Sequence, residues 1–208
     1  MSGEGEETFI SKSRLEALVD GVFAFAMTLL VIGLAISPSV PEAEAPRVIP
    51  QIIAAMWPQF INFLTAFFIL GAFWVHHHRQ FHLLKGVDMG IVRLTFLILV
   101  GVVLVPFSTN ISGDYSSVQA AADLFHLNLF IIAMLFFAQW HYITGSPHLT
   151  TGPVSSRKAR QLGIRLLGIA GVALLGIAIS FSRPGPSTAV YLLLIPLSLV
   201  WRWQFSRE

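Results

Sequence analysis

Six apolar runs, each long enough to cross a bilayer, constrain this chain more than any motif in it. They fall at about Leu15–Ile36, Ile52–Val75, Ile91–Ser108, Val118–Ile143, Leu162–Phe181 and Ser187–Trp203. A helix rises roughly 1.5 Å per residue and the hydrocarbon core is about 30 Å thick, so each run spans it with at most a small mismatch. Within lipid every backbone N–H and C=O needs a partner inside the protein, and the runs lack the apolar–polar alternation of barrel strands. Helices are the remaining solution. With 55% hydrophobic and 12% charged residues, the chain has no room for a separate water-soluble module. The expected fold is all-α: a polytopic membrane protein with six transmembrane helices and one domain over residues 1–208.

The connections carry helix breakers: Ser37-Pro38-Ser39 through Pro41 and Pro46, Ser112-Gly113-Asp114, and Pro184-Gly185-Pro186. Basic residues gather on one side of the membrane. Lys12 and Arg14 precede the first run; Arg79, Lys85 and Arg93 belong to the second-to-third connection; Arg157, Lys158, Arg160 and Arg165 to the fourth-to-fifth; Arg202 and Arg207 to the C-terminal tail. Only Arg47 and Arg183 fall on the other side, so the positive-inside rule puts both termini in the cytoplasm, which six spans allow. Met1 to Ser13 is polar and acidic, lacks the pattern of a signal peptide, and reads as a short cytoplasmic tail. The net charge of +2 is dispersed and gives no nucleic-acid-binding face.

Polar residues inside the runs are the next constraint. Gln59, Asn62, His126, Asn128 and Gln139 interrupt the second and fourth runs, where such side chains bond to neighbouring helices. Gly163, Gly168, Gly171 and Gly176 suggest close helix packing in the fifth, and Pro196 a kink in the sixth. In the first run Phe25, Thr28, Leu29 and Ile32 recur at i, i+3, i+4 and i+7, which makes one stripe. Such a stripe is either packed core or the lining of a pore, and periodicity alone leaves both open.

Asp20 at the mouth of the first helix is expensive in lipid and should face protein or water. It lies about 240° around the helix from Arg14, so the two are not a helical ion pair and need partners elsewhere. The end of the second run, Trp74-Val75-His76-His77-His78-Arg79, reaches the same boundary. Trp74, His77 and His78 share a face, while His76 is expected at the lipid or water interface. Three readings fit the cluster: a structural network, a pH sensor built on the histidines, or a metal site using His78, His82 and Asp20. No ligand-rich motif such as HExxH supports the last.

Several chemistries are excluded. Without cysteine there is no disulfide, thiolate ligand or Cys nucleophile. No nucleotide-binding loop or GxSxG elbow occurs, so neither an ATP-driven pump nor a serine hydrolase is expected, and no cofactor or enzymatic activity is implied. The filter sequence TVGYG and an Arg-rich voltage sensor are also absent, so any ion path must use side chains of a spanning helix.

At this point the residues resemble a known family. Arg14-x-x-x-Leu18-Val19-Asp20-Gly21 followed by Val-Phe-Ala-Phe-Ala-Met-Thr-Leu-Leu-Val is similar to the RxxxFSD signature and first helix of the transmembrane protein 175 family of potassium channels, in its prokaryotic single-repeat form. Trp74-x-x-His77-His78, Arg93 to Pro106-Phe107-Ser108, and Leu127-Asn128 through Trp140-His141-Tyr142 resemble its second, third and fourth helices. The resemblance implies a homotetramer in the bacterial plasma membrane that conducts potassium ions without a re-entrant filter loop. It also implies a hydrophobic constriction at Phe25, Leu29 and Ile32 with Thr28 as a hydroxyl layer, and a supporting network of Arg14, Asp20, Trp74, His77 and His78. Two departures stand out: Leu18-Val19 replaces Phe-Ser, and Phe25 replaces a smaller aliphatic residue. The expected function is a passive, potassium-preferring cation channel; a proton-coupled transporter using the Asp/His cluster and a non-conducting membrane scaffold are the alternatives.

Overall fold

The computed structural model describes residues 11–35, 40–194 and 196–197. Ile36, Ser37-Pro38-Ser39, most of the tail before Ser13, and the far end of the sixth run with Arg202 and Arg207 lie outside the described residues. The chain forms α1 (Lys12–Leu29), continued by a 3₁₀ turn over Leu30–Leu34, then α2 (Ala45–Ala55), α3 (Trp57–Phe81), α4 (Met89–Asp114), α5 (Gln119–Thr144) and α6 (Ser156–Ser180), followed by a 3₁₀ segment over Gly185–Leu193. Among the described residues, five helical stretches are long and apolar enough to cross a membrane: Lys12–Leu34, Trp57–Phe81, Met89–Asp114, Gln119–Thr144 and Ala159–Ser180.

The structure moves several expected boundaries. The second run does not form one helix from Ile52, because Pro58 has no N–H to offer the Ala54 carbonyl and the chain breaks at Met56. Proline in the first turn then starts α3, which runs on through the histidines to Phe81. Ser112-Gly113-Asp114 is not a connection but the last turn of α4. Tertiary contacts hold it: Asn62 donates to Ser112 at 3.2 Å, and Gly113 lies against Gln59. Arg79, Arg93, Arg157, Arg160 and Arg165 likewise sit in helices rather than in connections. The sixth run starts as 3₁₀ rather than α. The Ser187 hydroxyl bonds back to the Pro184 carbonyl at 2.5 Å, tightening a turn that Pro184 and Pro186 already deprive of donors.

α1 lies on α3 and α4, and α4, α5 and α6 then pack in sequence, with the 3₁₀ segment closing onto α6 and α3. Phe23, Phe73, Phe81, Phe125 and Phe136 fill the core, and the Phe73 and Phe136 rings stack 5.3 Å apart. Pro106 is buried inside α4 and removes one helical donor. The break is bridged from α5: Asn128 donates to the Gly101 carbonyl and to the Ser108 hydroxyl, both at 3.3 Å. Ser108 and Thr109 bond their hydroxyls back to the Val105 carbonyl, at 3.1 and 2.7 Å, which satisfies both side chains inside the helix. At one end of the bundle the α3–α4 and α5–α6 connections are zipped together. Leu84 and Thr150 form an antiparallel bridge, with Lys85 N–H to Leu149 and Thr151 N–H to Leu83 each at 2.9 Å.

Candidate functional site

The two faces of α1 differ completely. Leu15, Val19, Phe23, Ala26 and Leu30, spaced three or four apart, are buried against the rest of the subunit. Phe25 and Ile32 on the opposite side are each 64% exposed, Thr28 is exposed and Leu29 half-buried. The stripe is therefore not part of the subunit's own core. Thr28 donates its hydroxyl proton to the Phe25 carbonyl at 2.8 Å, which leaves its oxygen lone pairs free to accept. Beyond Leu29 the helix tightens to 3₁₀, where residues three apart eclipse, so Ile32 stands nearly over Leu29 and the stripe runs straight.

The start of α1 and the end of α3 meet, as the shared boundary requires. Trp74 donates its indole N–H to the Asp20 carboxylate at 2.8 Å, and its ring stacks on His78 with centroids 6.1 Å apart. Lys12 reaches across to the Leu84 carbonyl at 2.8 Å. His77 turns inward instead: its ring stacks on Phe81 at 4.0 Å and meets the edge of Phe136, within electrostatic reach of Asp20. Arg14 stands apart, exposed, and its guanidinium joins no hydrogen bond or ion pair among the described residues. His76 does not lie at the lipid or water interface; it is 7% exposed and lines a groove beside Arg79 and Arg165. Helical spacing separates it from His77 by about 100°, and that side of α3 walls a groove whose other lining includes Arg165 and Ile169 of α6. Val19, where the family signature has serine, is fully buried in the apolar core.

Other polar residues find partners between helices. Gln139 donates to Thr95 at 2.8 Å and Gln80 to the Phe136 carbonyl at 3.1 Å. His126 is held between Tyr191 at 3.0 Å and Ser187 at 2.9 Å, which ties α5 to the last segment. Sequence reasoning missed Asp88, which caps α4 through the Ile91 N–H at 2.9 Å and accepts the Tyr142 hydroxyl at 2.7 Å. The signal was present: an aspartate immediately before an apolar run is a common helix start. Among the described residues no three His, Asp or Glu side chains gather as a metal cage, and His78 and His82 gain no third ligand.

Comparison with known proteins adds an independent line. Residues 14–106 match the family described as endosomal/lysosomal potassium channel TMEM175. A potassium channel of Streptomyces collinus is 33% identical over 166 residues, covering 77% of this chain and 79% of that protein. The mouse endosomal/lysosomal proton channel TMEM175 is 32% identical over 99 residues, covering 44% of this chain but only 20% of its own length. Among solved structures, a lysosomal potassium-selective channel TMEM175 homolog from Chamaesiphon minutus superposes with a TM-score of 0.76 at 27% identity, covering 91% of this chain and 97% of that one.

Proposed function

The chain belongs to the TMEM175 family of potassium channels, a family of channels and not of enzymes, and from that membership we propose that it is a passive, potassium-preferring channel of the bacterial plasma membrane. In this reading 1–208 is one channel domain. Six helices cross the membrane, the sixth beginning at the 3₁₀ segment, both termini are cytoplasmic, and four copies place their α1 helices around one axis. The observation that carries it is the bare stripe of Phe25, Thr28, Leu29 and Ile32 on a helix whose other face is fully buried. An apolar face of that kind, on the helix that carries the family signature, needs a partner or a purpose.

The mechanism follows from the side chains. Rings of Phe25, Leu29 and Ile32 force an ion to shed part of its water, which costs more for the smaller and more tightly hydrated sodium than for potassium. Thr28 oxygens, whose O–H groups point at the Phe25 carbonyls and leave the lone pairs free, replace part of that shell. Asp20 and Trp74 fix the cytoplasmic start of α1 against α3, with His78 stacked behind. The test is potassium, sodium and proton flux in proteoliposomes, with Phe25→Ala beside the native chain. The expected result is downhill potassium flux above sodium, with larger and less selective flux in the variant. No flux favours a scaffold, and uphill movement driven by a pH gradient favours a proton-coupled transporter. Unchanged flux and selectivity in Phe25→Ala removes Phe25 from the path.

A further inference from the structure

A groove of about 550 Å³ runs along α3 between α1 and α6, and its chemistry changes from one end to the other. Phe67, Phe68 and Gly71 wall its apolar length, with Met27 of α1 and Ile169 of α6 opposite. At the cytoplasmic end of α3 it closes on Arg79, Arg165 and His76. Phe68 and Arg79 are eleven positions apart on one helix, about 17 Å at 1.5 Å per residue. That is close to the depth of one leaflet, half of a core about 30 Å thick.

Among the described residues the polar end has no counter-ion. No acidic residue lines the groove, and neither guanidinium makes an ion pair among the described residues. Arg79 and Arg165 act electrostatically on each other and both act on His76. Arg165 lies six positions inside the candidate span Ala159–Ser180, where an unpaired cation is costly. Its Nε and the Nδ1 of His76 are buried with no hydrogen-bond partner, and His76 as a whole is more than nine-tenths buried. An unpartnered guanidinium N–H, a bare imidazole nitrogen, two like charges and an apolar channel leading away from them together describe a ligand with an anionic head and a hydrocarbon tail.

We infer that this groove binds an anionic phospholipid of the cytoplasmic leaflet, its phosphate held by Arg79, Arg165 and His76 and an acyl chain lying along Phe67, Phe68 and Gly71. The leaflet rests on the topology proposed above; the site itself does not depend on ion conduction. Basic pockets between spanning helices on the cytoplasmic side suit such headgroups because guanidiniums pair bidentately with phosphate. A zwitterionic lipid carries its own ammonium beside the phosphate and would set it against the two arginines.

The test is native mass spectrometry of the full chain in detergent, with phosphatidylglycerol or phosphatidylcholine added, alongside thermal unfolding in each lipid. The expected result is preferential retention of phosphatidylglycerol and a midpoint several degrees higher than in phosphatidylcholine. Arg79→Ala with Arg165→Ala should abolish both effects. Gly71→Leu provides a second variant that leaves the arginines intact: a Cβ there meets only the Met27 methyl, at 4.0 Å, so the added side chain occupies the groove without a backbone clash. It should lower retention at least several-fold. Equal retention of the two lipids, or retention unchanged in both variants, overturns the inference. So does loss of subunit assembly in place of lipid, which would make the groove a contact with a second copy. Flux is measured separately, so a conducting chain without lipid preference refutes the site alone, and a silent chain with the preference refutes only the channel.

Discussion

The Asp20 carboxylate accepts one indole N–H at 2.8 Å, and two substitutions that both remove its charge should therefore behave differently. Asp20→Asn keeps an acceptor oxygen for Trp74, whereas Asp20→Ala leaves the indole unpaired and should cost about 1 kcal/mol more. Chemical unfolding in detergent, run as a double-mutant cycle with Trp74→Phe, measures that coupling. Thr28 gives a functional counterpart. Thr28→Val removes the hydroxyl and should lower potassium flux by about tenfold if one hydrogen-bond-strength contact of roughly 1.4 kcal/mol is lost, while Thr28→Ser should stay near the native rate. Unaltered flux in Thr28→Val would show that dehydration alone governs passage. Which residues share a helix face was legible from spacing, as with Phe25 and Thr28. Which face meets a neighbour was not, and so His76 was expected outside and lies inside. Burial depends on the approach of Arg165 of α6 and of the last 3₁₀ segment to α3, and nothing local to His76-His77-His78 encodes that approach.

Between helices, two glycines of α6 make contrasting predictions. At Gly176 a Cβ would stand 2.5 Å from the His126 ring, which is itself pinned by Tyr191 and Ser187. Gly176→Ala should break those bonds and destabilise the protein by about 1–3 kcal/mol. At Gly171 nothing lies within 4 Å, so Gly171→Ala should be neutral or stabilising by up to about 1 kcal/mol. Thermal unfolding of the two variants side by side checks the contrast. Equal effects would mean that α6 does not press on α5 at His126. Five apolar helices were legible from hydropathy because lipid demands the same pattern wherever a helix crosses. Their ends were not. Hydropathy falls at Val75 and at Ser108, yet α3 and α4 continue by six residues each, because capping, Asn62 and Gln59 set where a helix stops rather than the end of its greasy part. The 3₁₀ start of the last segment was hidden for a similar reason, since the tightening comes from Ser187 turning back on Pro184.

For the molecule as a whole, the zipped connections at Leu84 and Thr150 bind α3–α4 to α5–α6 at one end, Asn128 binds α5 to α4 further along, and His126 ties α5 to the last segment. α1 lies on the side of that block with one face unloaded. Because the natural chain has no cysteine, single-cysteine variants report on that face without background. In the proposed tetramer, Thr28→Cys should react with a hydrophilic thiol reagent and lose flux on reaction. Val103→Cys, exposed on α4, should resist the same reagent if that face meets lipid in the proposed tetramer. Reaction at both positions or at neither would separate exposure from an aqueous path. The two faces of α1 also differ in heredity. A substitution at Phe23, on the buried side, harms the copy that carries it and is masked when enough normal subunits are made. A substitution at Phe25 is carried into every assembly its subunit joins. In the proposed tetramer, most channels built from an equal mixture of native and altered subunits would hold at least one altered copy, so substitutions on the Phe23 face should be masked by co-expressed native subunits and those on the Phe25 face should not.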